Sequence, residues 1–199
     1  MLTFGPIETE RLRLRRYRDG EAALVHRLMG DARVMRFYPE VYDLERSKKV
    51  FDAIARLYRT LGYSMLAAER TSDGAFVGQI GLLHWDDVDD REDVEVAYML
   101  LPEYWGMGYA TEAARACRDW AFAQMPIDRV VSYIDVRNEP SIKVAERNGM
   151  DRLKRIDENR FGNPIYVYRI ARDRWSATAN PAFADREADA GSTPHRAEP

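Results

Sequence analysis

Residues 94–113 read VEVAYMLLPEYWGMGYATEA, and a strand, a turn and a helix start follow one another within them. Val94 to Leu101 form an apolar run, Pro102 interrupts it, Gly106 and Gly108 stand one residue apart, and Ala110, Ala113, Ala114, Cys117 and Ala121 then mark one face of a helix that Pro126 stops. Strand parity puts Glu95, Ala97 and Met99 on one face and Val94, Val96, Tyr98 and Leu100 on the other, so Glu95 reads as the one carboxylate on an apolar strand. Glycine admits backbone conformations and close approaches that a Cβ blocks, and a helix start directs unpaired N–H groups and a positive dipole end outward. Strand, glycine turn and helix start together suggest a cradle for phosphate or diphosphate. The same residues also make a tight strand-to-helix connection, and the glycines alone do not separate the two readings. No G-x-x-x-x-G-K-S/T is present, and Thr111 leaves G-x-G-x-x-G incomplete, which removes the P-loop and weakens a dinucleotide reading.

Working outward, Ile7 to Arg15 alternates in part and reads as a first strand. Asp19 is placed to cap a helix through Leu24, Val25 and Leu28, and Asp43 a longer one through Val50, Ile54, Leu57 and Leu61 that ends at Gly62. YSMLAAE and AFVGQIGLLHW flank the Ser72-Asp73-Gly74 turn as a hairpin, and VEVAYMLL adds a third adjacent strand after the acidic loop DDVDDRED, residues 86–93. RVVSYIDV predicts a strand, NEPSIKVAERNG a helix ending at Gly149, and DRLKRIDE with IYVYRIA a last strand pair. The order is strand, two helices, three strands, helix, strand, helix, two strands: an α/β (α+β) chain whose helices cross between strands of a mixed sheet. After Trp175 the composition turns to Ala, Pro, Ser and charge, so residues 1–175 are expected to form one domain and 176–199 a disordered tail.

Composition narrows the partners. Thirty basic and 33 acidic residues give a net charge of −3, which offers no positive field for nucleic acid. Cys117 is the one cysteine, so neither an intrachain disulfide nor a thiolate zinc cage is expected, and no metal is called for. With no apolar run of signal or membrane-span length, a soluble cytoplasmic protein is expected.

ETERLRLR near the start, VEVAYMLLPEYWGMGYATEA, and NEPSIKVAERNGM, in this order, resemble the GNAT superfamily of acetyl-CoA-dependent N-acetyltransferases, in particular its RimJ/RimL-like branch; the likeness runs from about Ile7 to Arg174. It implies the GNAT fold, a mostly antiparallel sheet of about seven strands flanked by helices, with acetyl-CoA as cosubstrate. It implies that Trp105, Gly106, Met107, Gly108, Tyr109, Ala110 and Thr111 hold the coenzyme diphosphate, and that Met99, Leu100 and Leu101 hold the pantetheine arm where the strand splays from its neighbour. Glu103 occupies a position where many members carry Gln or Arg.

The resemblance further implies roles for side chains. Acetyl transfer needs a neutral amine, stabilisation of the oxyanion at the thioester carbonyl and a proton for the thiolate. On the strand alone Glu95 reads as a salt-bridged or edge-exposed glutamate; by resemblance it is the base. Asn138, Ser141 and Lys143 fall where the family contacts the coenzyme, with Ser141 as the acid; as a plain helix cap, Asn138 would hold Ser141 at the third helical position. A glutamate of the last strand pair is an alternative base, with Glu158 nearby but Arg160 in the matching register. Tyr133, Tyr166 and Tyr168 could line an acceptor cleft, whereas His26 and His84 read as structural. The acidic loop is a solvated turn that could also draw in a cationic amine. The resulting expectation is acetyl transfer to a primary amine, with a protein N-terminal α-amine first. The alternatives are a small-molecule amine (polyamine, amino acid or antibiotic) or a non-catalytic acyl-CoA-binding module, and a homodimer is among the assemblies the resemblance allows.

Overall fold

All neighbouring strands but one pair run antiparallel, and the exception lies at the strand quoted above. The computed structural model describes residues 2–86, 88, 91–159 and 162–176. Its strands are β1 (Ile7–Glu8), β2 (Leu12–Arg15), β3 (Met65–Arg70), β4 (Phe76–Trp85), β5 (Asp93–Leu100), β6 (Arg129–Asp135), β7 (Asp151–Ile156) and β8 (Ile165–Ala171), and its helices α1 (Ala22–Met29), α2 (Leu44–Thr60), α3 (Tyr109–Gln124), α4 (Glu139–Arg147) and α5 (Arg172–Ser176). They form one eight-stranded sheet in the order β1-β2-β3-β4-β5-β6-β8-β7, with β5 and β6 parallel. A parallel pair needs a crossover, and α3 provides it.

The sheet has eight strands because the expected first strand breaks at Thr9. Its hydroxyl accepts the Leu12 N–H at 3.0 Å and its N–H donates to the Leu12 carbonyl at 2.8 Å, folding the chain into the β1–β2 hairpin. A second correction concerns α1, which starts after Glu21 rather than from a cap at Asp19; the Glu21 carboxylate is bonded to the Arg15 guanidinium at 2.7 Å and to the Arg18 N–H at 2.8 Å. Asp43 does cap α2, accepting the Arg46 N–H at 2.7 Å, and Gly62 follows that helix with φ +82°. The hairpin at residues 72–74 joins β3 to β4 as expected.

The core lies between the sheet and α3. Ala113, Ala114, Cys117 and Ala121 are buried, and their short side chains let the helix lie close on β4 and β5. Phe122 continues the stripe and stacks on Trp175 of α5, with ring centroids 5.1 Å apart. On the opposite face α1 and α2 pack together, with Val25, Leu28 and Ile54 buried. Among the described residues no helix is long and apolar enough to cross a membrane. The expected tail, apart from Ser176, which ends α5, lies outside the described residues.

Candidate active site

The site begins where β5 and β6 stop pairing. Glu95 opposite Val131 is their one registered pair, after which side chains replace the ladder. The Ser132 hydroxyl donates to the Val96 carbonyl at 2.8 Å, and the Tyr133 N–H donates to Glu95 Oε1 at 3.0 Å. Alternate residues of a strand direct both backbone groups to the same neighbour. Leu101 donates its N–H to Val77, at the β4 side, while the Val96 and Leu100 carbonyls take bonds from Ser132 and the Trp105 indole. The even-numbered residues Val96, Tyr98 and Leu100 therefore face the opening beside β6. Of the expected trio, Leu100 borders the gap; Met99 is registered with Gln79 of β4, and Leu101 uses both its N–H and its carbonyl within the protein.

At the fork stands Glu95, buried, with Oε2 accepting the Trp85 indole N–H at 2.7 Å. Burial pushes its carboxyl up to about 7, aided by the charge of Asp93, against the lowering effect of the two N–H donors from Tyr133 and Trp85. It is not the strand's one carboxylate. Asp93 opens β5, buried, and is held by Arg129 through bonds of 2.7 and 2.6 Å and by the Tyr133 hydroxyl at 2.8 Å. The expected solvated acidic loop is thus corrected at its last residue, where the strand draws Asp93 inward onto Arg129; Asp87, Asp89 and Asp90 lie outside the described residues. Tyr38, from the α1–α2 connection, is half exposed, whereas Tyr98 of β5 brings its phenol towards Glu95; burial, opposed by the hydrogen bond to Ser141 and aided by the charge of Glu95, raises Tyr98 above the ordinary tyrosine range.

Tyr98 crosses the gap, its hydroxyl donating to the Ser141 carbonyl at 3.0 Å. Asn138 is the N-cap of α4 and accepts the Ser141 N–H at 3.3 Å, so the capping arrangement is present and also places Ser141 beside Tyr98. Lys143 is exposed on the next turn. Tyr168 is buried and Tyr166 half-buried beneath the Arg152 guanidinium, whereas Glu158 is exposed between β7 and β8; Arg160 lies outside the described residues. His26 sits 3.1 Å from the Ser47 hydroxyl, in the packing of α1 on α2.

Beyond the gap the chain makes the glycine turn. Gly106 and Gly108 have φ of +74° and +83°, the left-handed region that L side chains rarely adopt, and Gly108 is the N-cap of α3. A Cβ on Gly106 would meet nothing within 4 Å, and one on Gly108 would meet only Arg11 Nη2, at 3.3 Å. Backbone conformation, rather than crowding inside the protein, is what requires glycine here. The first helical bond runs from the Glu112 N–H to the Gly108 carbonyl, which leaves the N–H groups of Tyr109, Ala110 and Thr111 outside the helical ladder. Of these residues Thr111 borders a cavity of about 400 Å³, which is lined also by Glu10, Arg11, Gly108, Glu112, Arg115 and Arg147. Glu103 points away, exposed and 3.8 Å from Arg27.

A diphosphate fits this donor set: helix-start N–H groups outside the helical ladder, a positive dipole end and the guanidinium groups of Arg115 and Arg147, while Arg11 is engaged by Glu112 and the Met107 carbonyl. The one carboxylate of the helix's first turn, Glu112, already serves Thr9 and Arg11. Sequence reasoning missed Arg11, Arg115 and Arg147, which three separate elements bring to one cavity without any local pattern.

A sheet forked beside a buried carboxylate, with unpaired N–H groups and guanidinium groups at the head of the crossover helix, is an arrangement that suits a group-transfer enzyme. Residues 11–151 match the acetyltransferase (GNAT) domain, and the chain belongs to that family as an acyltransferase. It is 35% identical over 161 residues to the Bacillus subtilis protein YkkB, covering 80% of this chain and 92% of that one. To the spermidine N(1)-acetyltransferase of Escherichia coli it is 27% identical over 148 residues, covering 72% and 69% of the two chains. Its fold is shared with the RimL ribosomal-protein α-N-acetyltransferase solved with coenzyme A, at a TM-score of 0.69 and 18% identity over 85% of this chain and 98% of that one.

Proposed function

We propose that this enzyme moves the acetyl group of acetyl-CoA to a primary amine, and that the acceptor is the α-amine of a protein N-terminus in the cytoplasm. The observation that carries the reading is Glu95, buried at the fork and pushed up to about 7. A base of that strength takes a proton from an amine near neutral pH. Trp105 to Thr111, with Arg115 and Arg147, would hold the diphosphate, and the open edge at Tyr98 and Leu100 would follow the pantetheine arm. Bound there, acetyl-CoA supplies a thioester carbonyl that a strand N–H can polarise. Asn138 holds the Ser141 N–H and the Tyr98 phenol its carbonyl; the Ser141 hydroxyl would give the thiolate its proton, and Lys143 would reach towards the coenzyme from α4. A non-catalytic binding module has no use for a buried base of this strength.

Charge at the gap favours an acceptor with a single amine. Asp93 is neutralised by Arg129, and Arg36, with no carboxylate partner among the described residues, lies over the rings of Phe37 at 4.5 Å and Trp105 at 5.6 Å. The further ammonium groups of a polyamine would meet that guanidinium. An α-amine of pKa about 7.8 is also roughly one-tenth neutral at pH 7, far more than a lysine-like amine at about 10.4. The test is thiol release from acetyl-CoA with ribosomal-protein N-terminal peptides, spermidine, free amino acids and aminoglycosides. Peptides are expected to exceed spermidine in kcat/KM by at least about tenfold. Spermidine turnover equal to theirs would move the acceptor to small amines, and coenzyme binding with no turnover on any amine would leave a binding module.

A further inference from the structure

We infer that Arg11, on the turn between β1 and β2, is a positioning residue that sets the glycine turn in its anion-binding form; the inference rests on the acetyl-CoA reading above. Its guanidinium is held edge-on by Glu112 of α3, with Nε 2.7 Å and Nη2 2.7 Å from Oε2, while the Arg11 N–H donates to Oε1 at 2.8 Å. Thr9 adds a bond of 2.6 Å to the same carboxylate. These hydrogen bonds and the Arg11 charge outweigh burial and keep the Glu112 carboxyl below its ordinary range. Stacked over the Tyr109 ring at 4.7 Å, the guanidinium has Nη1 left to donate to the Met107 carbonyl at 3.0 Å.

That last bond is the one that matters to the cradle. The carbonyl of Met107 and the N–H of Gly108 belong to one trans peptide and point in opposite directions. Holding the oxygen towards Arg11 therefore turns the Gly108 N–H away from it. A half-turn of this peptide changes ψ at Met107 and φ at Gly108, and glycine accepts either sign of φ, so the backbone itself resists the flip very little. The glycine that makes the turn possible also leaves its orientation open, and Arg11 selects one orientation. A flipped peptide would present a carbonyl oxygen where an N–H is needed and would repel a diphosphate. The fork geometry of a guanidinium serves Glu112 and Met107 at once, which a single ammonium cannot reproduce.

The experiment is calorimetric titration of the full chain with coenzyme A, for wild type, Arg11→Ala and Arg11→Lys, together with hydrogen exchange of each protein without ligand. Both variants are expected to bind coenzyme A on the order of tenfold more weakly or worse, while amides of residues 113–124 keep their protection. Wild-type affinity in Arg11→Ala would overturn the inference. So would full rescue by lysine, since Arg11 would then act by charge alone, and so would lost protection along α3, since Arg11 would then be holding the helix. Wild type that binds no coenzyme A would instead overturn the acetyl-CoA reading on which the inference stands.

Discussion

At Glu95 a carboxyl group is buried with two N–H donors, and burial wins. Its pKa is raised to about 7 from an ordinary 4.5, so the folded chain holds a proton that the unfolded chain has already released between those values. The stabilising contribution is complete below about 4.5 and is lost as pH rises through 7. Relative to Glu95→Gln, wild type is expected to lose roughly 3 kcal/mol of stability between pH 4 and 8, read from urea unfolding at each pH. In catalysis the sign is opposite, because the base works when deprotonated. The acid limb of kcat should inflect at about 7, and Glu95→Gln should remove that inflection and lower turnover on the order of 100-fold or more, with coenzyme affinity nearly unchanged. An unaltered rate across this range would place the base elsewhere.

Among the elements, the fork between β5 and β6 and the head of α3 divide the work. Two side chains, Ser132 and Glu95, close the ladder at its last pair and leave the edge of Tyr98 and Leu100 open. At the helix head the left-handed Gly108 makes the connection to α3. Gly108→Ala carries a Cβ 3.3 Å from Arg11 Nη2 and forces an L side chain into positive φ. It is expected to destabilise the fold by about 1–2 kcal/mol and to weaken coenzyme A binding by more than that strain alone, because the turn escapes the strain by leaving its anion-binding form. Calorimetry beside thermal melting measures both; coenzyme affinity unchanged in the folded variant would remove the cradle.

Across the whole molecule, one sheet carries both the site and the parts that brace it. Trp175 at the end of α5 stacks on Phe122 of α3 and donates its indole N–H to Asp119 at 2.8 Å, fastening the last helix to the crossover helix. Trp175→Ala is expected to cost about 3–5 kcal/mol, measured by urea unfolding, with activity recovered at low temperature where the variant stays folded. Activity lost in a folded Trp175→Ala protein would mean that α5 reaches the site.

Local pattern determined most of the elements and the glycine turn. Apolar periodicity, the Asp43 cap, the hairpin glycine and the stripe of small residues on α3 act within a few residues of one another and are visible in the chain. Strand parity and capping placed Glu95 and Ser141 on their elements, but it was the resemblance to the family that made them candidates. The split of the first strand at Thr9 rests on bonds to Leu12, three residues on, which the apolar alternation does not mark; the burial of Asp93 on Arg129 and the meeting of Arg11, Arg115 and Arg147 at one cavity were decided only by the tertiary structure. Both of these depend on partners more than thirty residues away in sequence, and Coulombic and hydrogen-bond energies depend on separation in space, which the order of residues along a strand or helix does not reveal.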